Sequence, residues 1–98
     1  MEIIIKKSNK KDKKLDAIID GKKTVSFGSA GMSDYTLHKD PERKERYISR
    51  HKKNEDWTKS GIKTPGFYAK HVLWNKPTLK GSVDDLNKKL KDVHVVLK

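Results

Sequence analysis

Cysteine is absent from this chain of 98 residues, and apolar residues are scarce. Without cysteine there is no thiol nucleophile, thiolate metal site or disulfide, which is typical of a reducing compartment. Apolar side chains make up 33% and charged ones 38%, so we expect one modest core and a single domain over residues 1–98. No apolar run approaches the roughly 20 residues of a membrane span. The first residues lack the pattern of a secretory signal, so we expect a protein that is not secreted and has no membrane partner.

Acidic residues and arginine are also few. The chain has 24 lysines and arginines against 13 acids, a formal net charge of +11, and only Arg43, Arg46 and Arg50 are arginine. The net charge is +4, +3 and +4 in residues 1–28, 29–63 and 64–98, so there is no separate basic tail. Lysine is a hydrated point charge that attracts phosphate but reads bases poorly. The composition therefore indicates an acidic partner without deciding between protein and nucleic acid.

Motifs for catalysis and for cofactors are missing as well. Gly28-Ser29-Ala30-Gly31 follows a predicted strand without the Walker lysine or the three-glycine dinucleotide pattern, so we interpret it as a tight turn. Asp34 and Asp40 bracket His38, which could orient an imidazole, but no serine stands in a nucleophile elbow. We predict that the protein is not an enzyme and has no metal, cofactor or small-molecule substrate. We predict that His51 is a structural histidine bonded to the backbone.

The order of predicted strands indicates the fold class. Residues 2–7, 15–20 and 24–27 are rich in β-branched residues, and Asp20-Gly21 is a hairpin signal between the last two. Residues 93–97 read as a returning strand. Strands and helices fall in separate runs rather than in alternation. We therefore predict an α+β domain, in which a small antiparallel sheet of the N-terminal meander and the C-terminal strand packs against about three helices.

Three helix starts follow the meander. Asp40-Pro41-Glu42 supplies a cap, a proline at the first position and an acid in the first turn, and predicts a helix over 41–53. Thr64-Pro65 repeats this signal and leads into an apolar helix over 67–75. Ser82 followed by Asp85 is a capping box that predicts a third helix. The residues expected on its buried face are Val83, Leu86 and Leu90.

Every arginine of the protein lies on one side of the helix predicted over 41–53. We call this side the arginine stripe; its members are Arg43, Arg46, Arg50 and Lys53. A neighbouring face that should touch the core consists of Lys44, Tyr47, Ile48 and His51. Glu42 precedes Arg46 by four residues, the favourable order for an ion pair within a helix. We expect the stripe to anchor its own loops in part, through Glu55, Asp56 or Asp34, and to bind a partner with the charge that is left.

Several strings between residues 27 and 90 resemble a family of short, uncharacterised basic proteins encoded by large nucleocytoplasmic DNA viruses. The first string runs from Asp34-Tyr35-Thr36 through His38 and Asp40 to His51, and later ones are Glu55-Asp56-Trp57 and Trp74-Asn75-Lys76-Pro77. The chain departs from the family at Ala69-Lys70-His71, where we expect Ser-Arg-Trp. The residues that we assign to a structural motif are Asp34, Tyr35, His38, Asp40, His51, Trp57, Trp74, Asn75 and Pro77. At the end of the apolar helix, Asn75 can satisfy orphaned carbonyls before Pro77 stops the helix.

The family has no established activity, so the resemblance implies only a context. That context is a viral protein in the virion, or in the cytoplasm or nucleus of an infected cell. One expected function is a virion structural component of the minor capsid or cement type, which binds acidic protein neighbours. The alternative is a sequence-nonspecific nucleic-acid-binding protein on the viral genome or RNA. A folded basic domain without a disordered tail favours the first.

Overall fold

The computed structural model describes all residues from Met1 to Lys98 and contains one sheet of four strands. The strands are β1 (Glu2–Lys7), β2 (Lys13–Ile19), β3 (Lys23–Ser29) and β4 (His94–Leu97). Their order in the sheet is β3-β2-β1-β4. The predicted α+β fold, in which the C-terminal strand returns to an N-terminal meander, is confirmed.

The direction of β4 is a correction to the sequence analysis. β1 runs antiparallel to β2, with Ile3 opposite Ile19, but it runs parallel to β4, with Ile3 opposite Val95. A parallel neighbour needs a long crossover connection, and the helical layer between residues 35 and 89 provides it. The sheet is therefore mixed rather than wholly antiparallel.

Helices cover one face of the sheet and form the core with it. Alternate strand residues point to the same face, so Ile3 and Ile5 of β1 are fully buried while Ile4 is half-buried on the other side. Phe27 of β3 lies against Tyr68 of the helical layer, with ring centroids 5.5 Å apart.

The helical layer has four α-helices and two irregular segments. The helices are α1 (Tyr35–His38), α2 (Pro41–His51), α3 (Pro65–Tyr68) and α4 (Leu79–Lys89). A 3₁₀ turn covers Lys59–Gly61, and α3 continues as a π-helical segment over Ala69–Leu73. None of the helices has the length and apolar character needed to span a membrane.

Two of the predicted helix starts are confirmed. The Asp40 carboxylate accepts a hydrogen bond from the Glu42 amide at 3.0 Å, with Pro41 as the first residue of α2. Thr64 caps α3 in the same way by accepting from the Phe67 amide at 3.4 Å. The end of α2 differs, since the helix stops at His51 rather than at residue 53. Lys53 therefore lies in the turn that follows the helix.

The predicted capping box at Ser82 is wrong. α4 begins earlier, because the Thr78 hydroxyl accepts the Gly81 amide at 3.0 Å and caps the helix at Leu79. Ser82 is fully buried inside α4, and its hydroxyl accepts the Lys76 amide at 3.0 Å. The apolar face of the helix is as predicted: Val83 and Leu86 are buried, and Leu90 packs against the core.

An amide side chain closes the outer edge of β4. The Asn87 side chain accepts from the Val95 amide at 2.7 Å and donates to the Val95 carbonyl at 2.9 Å. These two bonds occupy backbone groups that an edge strand otherwise offers to another chain. α4 is thereby fixed to the sheet edge as well as to its face.

Candidate functional site

The arginine stripe lies on the exposed side of α2. This helix buries none of its residues, and Arg43, Arg46, Arg50 and Lys53 are all exposed. Arg46 forms the predicted pair with Glu42 at 3.6 Å, and both side chains are more than half exposed. Such an exposed pair contributes about 0.3–0.5 kcal/mol, so it holds Arg46 only weakly.

The other members of the stripe have no acidic partner within the chain. No carboxylate lies within ion-pair distance of Arg43, Arg50 or Lys53. Asp34 instead pairs with Lys14, with 2.5 Å between Nζ and Oδ2. Asp56 accepts hydrogen bonds from the amide and hydroxyl of Thr58, and these bonds lower its pKa. The expectation that the stripe anchors its own loops is therefore wrong.

A shallow cleft runs along the stripe. Its volume is about 740 Å³, and the three arginines share its wall with two acids of α2, Glu42 and Glu45. Ser49 of α2, Met32 and Ser33 from the segment before α1, and Trp74 from the end of the π-helical segment complete the lining. Met32 is 65% exposed, which makes it an unusually open apolar side chain beside the arginines.

Five aromatic rings in contact, two pairs of them stacked, join α1, α2 and the end of the π-helical segment beside this cleft. Tyr47 lies between His51 and Trp74, with centroid distances of 4.1 and 4.3 Å and an angle of only 4° to the indole. Trp74 also contacts His38, at 5.2 Å and a tilt of 53°, and His38 meets Tyr35 edge-on at 6.2 Å. Burial raises the pKa of Tyr47 to about 12, so its hydroxyl stays neutral. Tyr47 thus covers one face of Trp74, which also lines the cleft.

The residues assigned to the first part of the structural motif fix this stack in place. Asp34 is only 2% exposed and caps α1 by accepting the Thr36 amide at 2.8 Å. The Asp40 amide donates to Nδ1 of His38 at 2.9 Å. Nδ1 of His51 bonds the Tyr47 carbonyl at 2.9 Å, which confirms the predicted backbone-bonded histidine.

The later motif residues form a second centre behind α2. Nδ2 of Asn75 donates to the His71 carbonyl at 3.2 Å, which confirms that Asn75 satisfies a carbonyl at the end of the helix. It also donates to the Asp85 carboxylate at 2.8 Å. The Trp57 carbonyl bonds Nε2 of His71 at 2.9 Å. Pro77 is exposed in the loop before α4.

Sequence reasoning missed a group of lysines around Asp85. Lys44, Lys70, Lys76 and Lys89 come from α2, the π-helical segment, the loop before α4 and α4. They are spread over 46 residues of sequence, so no local pattern predicts that they meet. A set of metal ligands is a separate question: nowhere in the chain do three His, Asp or Glu side chains come together as one.

Comparisons with known proteins give one result. The family model described as "Family of unknown function (DUF5754)" matches residues 3–51, half of the chain. The match spans β1 to α2 and includes the three arginines of the stripe but not Lys53, Trp57 or Trp74. No curated protein and no solved structure matches the chain. The function must therefore be inferred from the surface of this chain.

Proposed function

Since this chain belongs to DUF5754, a family of unknown function, we propose its role from its own surface: it is a non-enzymatic binding protein whose arginine stripe holds an acidic protein neighbour. The observation that carries the proposal is the unpaired state of Arg43 and Arg50 on an exposed helix. A guanidinium group offers a rigid fork that matches a carboxylate with two parallel hydrogen bonds. An acidic side chain of a neighbouring protein would supply the carboxylate partner that Arg43 and Arg50 lack within this chain.

The acids within the cleft favour a protein over a nucleic acid. Glu42 and Glu45 alternate with the arginines along α2, and both line the cleft. A phosphate backbone would be repelled by these carboxylates, whereas a protein surface can present a lysine to each of them. Trp74 also offers less open surface for a stacked base, because Tyr47 covers one of its faces and His38 packs against it. Base stacking on open aromatic faces is a main source of affinity for single strands.

The proposed neighbour belongs to a virion. This part of the proposal rests on the resemblance to small proteins of large DNA viruses, and it gives the protein a minor capsid or cement role. A cement protein must fold compactly and display side chains that engage its neighbours, and the exposed Met32 beside the arginines suits such a contact. Mass-spectrometric detection of the protein in purified capsid shells, after the genome has been removed, would support this role. Its recovery only with the genome fraction would contradict it.

A second candidate, sequence-nonspecific binding of nucleic acid, is favoured by the net charge of +11. The two candidates differ in their response to two model ligands at about 0.15 M salt, where long-range attraction is screened. Poly-L-glutamate presents carboxylates, and a short DNA duplex presents phosphates. Both ligands are repelled by Glu42 and Glu45, but a flexible glutamate chain can place single carboxylates on the guanidinium groups, whereas a duplex holds its phosphates in a rigid array. We therefore expect the protein to bind poly-L-glutamate and to bind the duplex weakly through the arginine stripe.

The test uses Arg43→Glu combined with Arg50→Glu. We expect the variant to keep the wild-type circular dichroism spectrum and to bind poly-L-glutamate at least about tenfold more weakly, since two attractive contacts become repulsive. The matched control is Lys22→Glu with Lys23→Glu, which changes the net charge equally at the far end of β2 and β3. Equal loss in both variants, or a loss of duplex binding in the arginine variant that exceeds its loss of poly-L-glutamate binding, would refute the proposal. If the arginine variant unfolds, Arg43→Gln with Arg50→Gln removes the forks without introducing repulsion.

A further inference from the structure

Four lysines surround Asp85 closely enough for charges in the group to shift one another's pKa, and one of them forms an ion pair with it. We call Lys44, Lys70, Lys76 and Lys89 the lysine cluster. The Lys89 ammonium lies 3.0 Å from the Asp85 carboxylate. Burial is the main cause that lowers the pKa of Lys44, and repulsion from Lys76 and Lys89 lowers it further. Burial lowers the pKa of Lys70 in the same way, with repulsion from Lys89 and Lys44.

The single acid of this group is fixed and cannot balance four cations. Asn75, only 6% exposed, donates to Oδ2 of Asp85 at 2.8 Å, and Lys89 contacts the same oxygen. The hydrogen bond from Asn75 is the largest cause that lowers the pKa of Asp85, so the carboxylate stays ionised. One negative charge among four positive ones leaves a local excess of three, around a carboxylate whose side chain is only 21% exposed.

Aromatic rings hold two of the four ammonium groups. Nζ of Lys44 lies 5.1 Å from the centroid of Tyr35, and Nζ of Lys70 lies 5.7 Å from that of Trp57. Both lysines are half-buried, whereas Lys76 and Lys89 are exposed. Cation–π contacts restrict where the ammonium groups can move, so less conformational entropy is lost when they bind an anion. The cluster thus combines two half-buried cations that contact aromatic rings with two exposed ones.

We propose that the lysine cluster binds a phosphate-bearing anion. A multiply charged phosphate group would neutralise the excess charge around Asp85 and relieve the repulsion among the lysines. Lysine suits this ligand, because its compact ammonium contacts phosphate oxygens as a point charge. The site is separate from the arginine stripe, and the proposal does not depend on the proposed function. The phosphate could belong to a free polyphosphate or to a nucleic-acid backbone, and the experiment distinguishes these sources.

Binding of inorganic tripolyphosphate to the full chain, measured by isothermal titration calorimetry, tests the site. Lys70→Gln combined with Lys89→Gln should weaken binding by about tenfold. The control pair, Lys22→Gln with Lys23→Gln, removes the same charge from the β2–β3 hairpin and should leave the affinity nearly unchanged. If both pairs weaken binding equally, or if the wild type does not bind, the proposal is wrong.

The acid at the centre gives a test of opposite sign. Asp85→Asn keeps the oxygen that accepts from Asn75 but removes the negative charge, so tripolyphosphate should bind several-fold more tightly. Asp84→Asn is the matched control. Asp84 is the sequence neighbour of Asp85, but it is exposed and pairs at 3.0 Å with Lys80, which is not a member of the cluster. A gain that is equal in both variants would show that net charge alone acts and would overturn the proposal.

A second titration with a short DNA duplex identifies the source of the phosphate. If the Lys70 and Lys89 substitutions weaken binding of both ligands, the cluster binds phosphates of a nucleic-acid backbone as well as free ones. If they weaken binding of tripolyphosphate alone, the ligand is a free polyphosphate. If the lysine substitutions do not weaken phosphate binding, the proposed role of the arginine stripe still stands, since its test uses poly-L-glutamate and different residues.

Discussion

His71 should make the stability of the protein fall steeply as the solution becomes acidic. Its side chain is 6% exposed and packs against Phe67 at a centroid distance of 4.4 Å. Burial, opposed in part by the hydrogen bond to the Trp57 carbonyl, lowers the pKa of His71 to about 4. A proton on Nδ1 would also lack an acceptor, because this atom is buried without a hydrogen-bond partner. The native state therefore favours the neutral ring.

The sign and the size of the effect follow from linkage. The unfolded chain binds a proton at His71 near its ordinary pKa of about 6.5, whereas the folded chain does so only near the lowered value of about 4. The contribution of neutral His71 to the free energy of unfolding is therefore fully present above the unfolded pKa. It is lost as the pH falls from about 6.5 to about 4. At about 1.4 kcal/mol per unit of pH, the loss amounts to about 3 kcal/mol.

Urea denaturation of wild type and His71→Gln across this pH range measures the effect. Glutamine can still donate to the Trp57 carbonyl but does not titrate, so the free energy of unfolding of the variant should depend less on pH by about 3 kcal/mol. His94→Gln is the control, since His94 is exposed and the variant should follow the wild-type profile. All other titrating groups are common to the proteins and cancel in the comparison. Parallel profiles for wild type and His71→Gln would refute this account of the buried ring.

Two further substitutions test the packing around the site. Trp74→Ala should lower the free energy of unfolding by about 2–3 kcal/mol, since the half-buried indole stacks on Tyr47; an unchanged urea midpoint with lost partner binding would make it a contact residue instead. Gly28→Ala should destabilise by about 1 kcal/mol more than Gly21→Ala, because both glycines have positive φ but only at position 28 would the new methyl group approach Leu73, at 2.6 Å. Equal urea midpoints for the two glycine variants would contradict this reason.

Signals that act within a few residues of chain could be read directly from the sequence. Asp40-Pro41 starts α2 because a side-chain acceptor and a fixed φ are local properties. The β-branched run in β1 and the Asp20-Gly21 turn likewise made the meander predictable. The three arginines of the stripe depend only on helical spacing, so they were predictable as a set, whereas Lys53 lies in the turn after α2. The backbone bond of His51 also spans a single turn of the same helix.

Features that join distant segments were decided by the tertiary structure alone. The four residues of β4 carry no local signal for the direction of pairing, and the path of the helical layer made β4 parallel to β1. Thr78 replaced Ser82 as the cap of α4 because Ser82 is buried and bonds the Lys76 amide instead. Both outcomes depend on where the chain returns, which a local pattern does not encode.

The charges of the site show the same division. The sequence identified Arg43 and Arg50, but whether an acid would reach them depended on the positions of Asp34 and Asp56, which bond to Lys14 and Thr58 instead. The lysine cluster could not be read from the sequence at all, because its members come from four segments. Charged side chains interact through space over several ångströms regardless of their separation along the chain. The sequence thus determined which charges the protein carries, and the fold determined which of them remain unpaired.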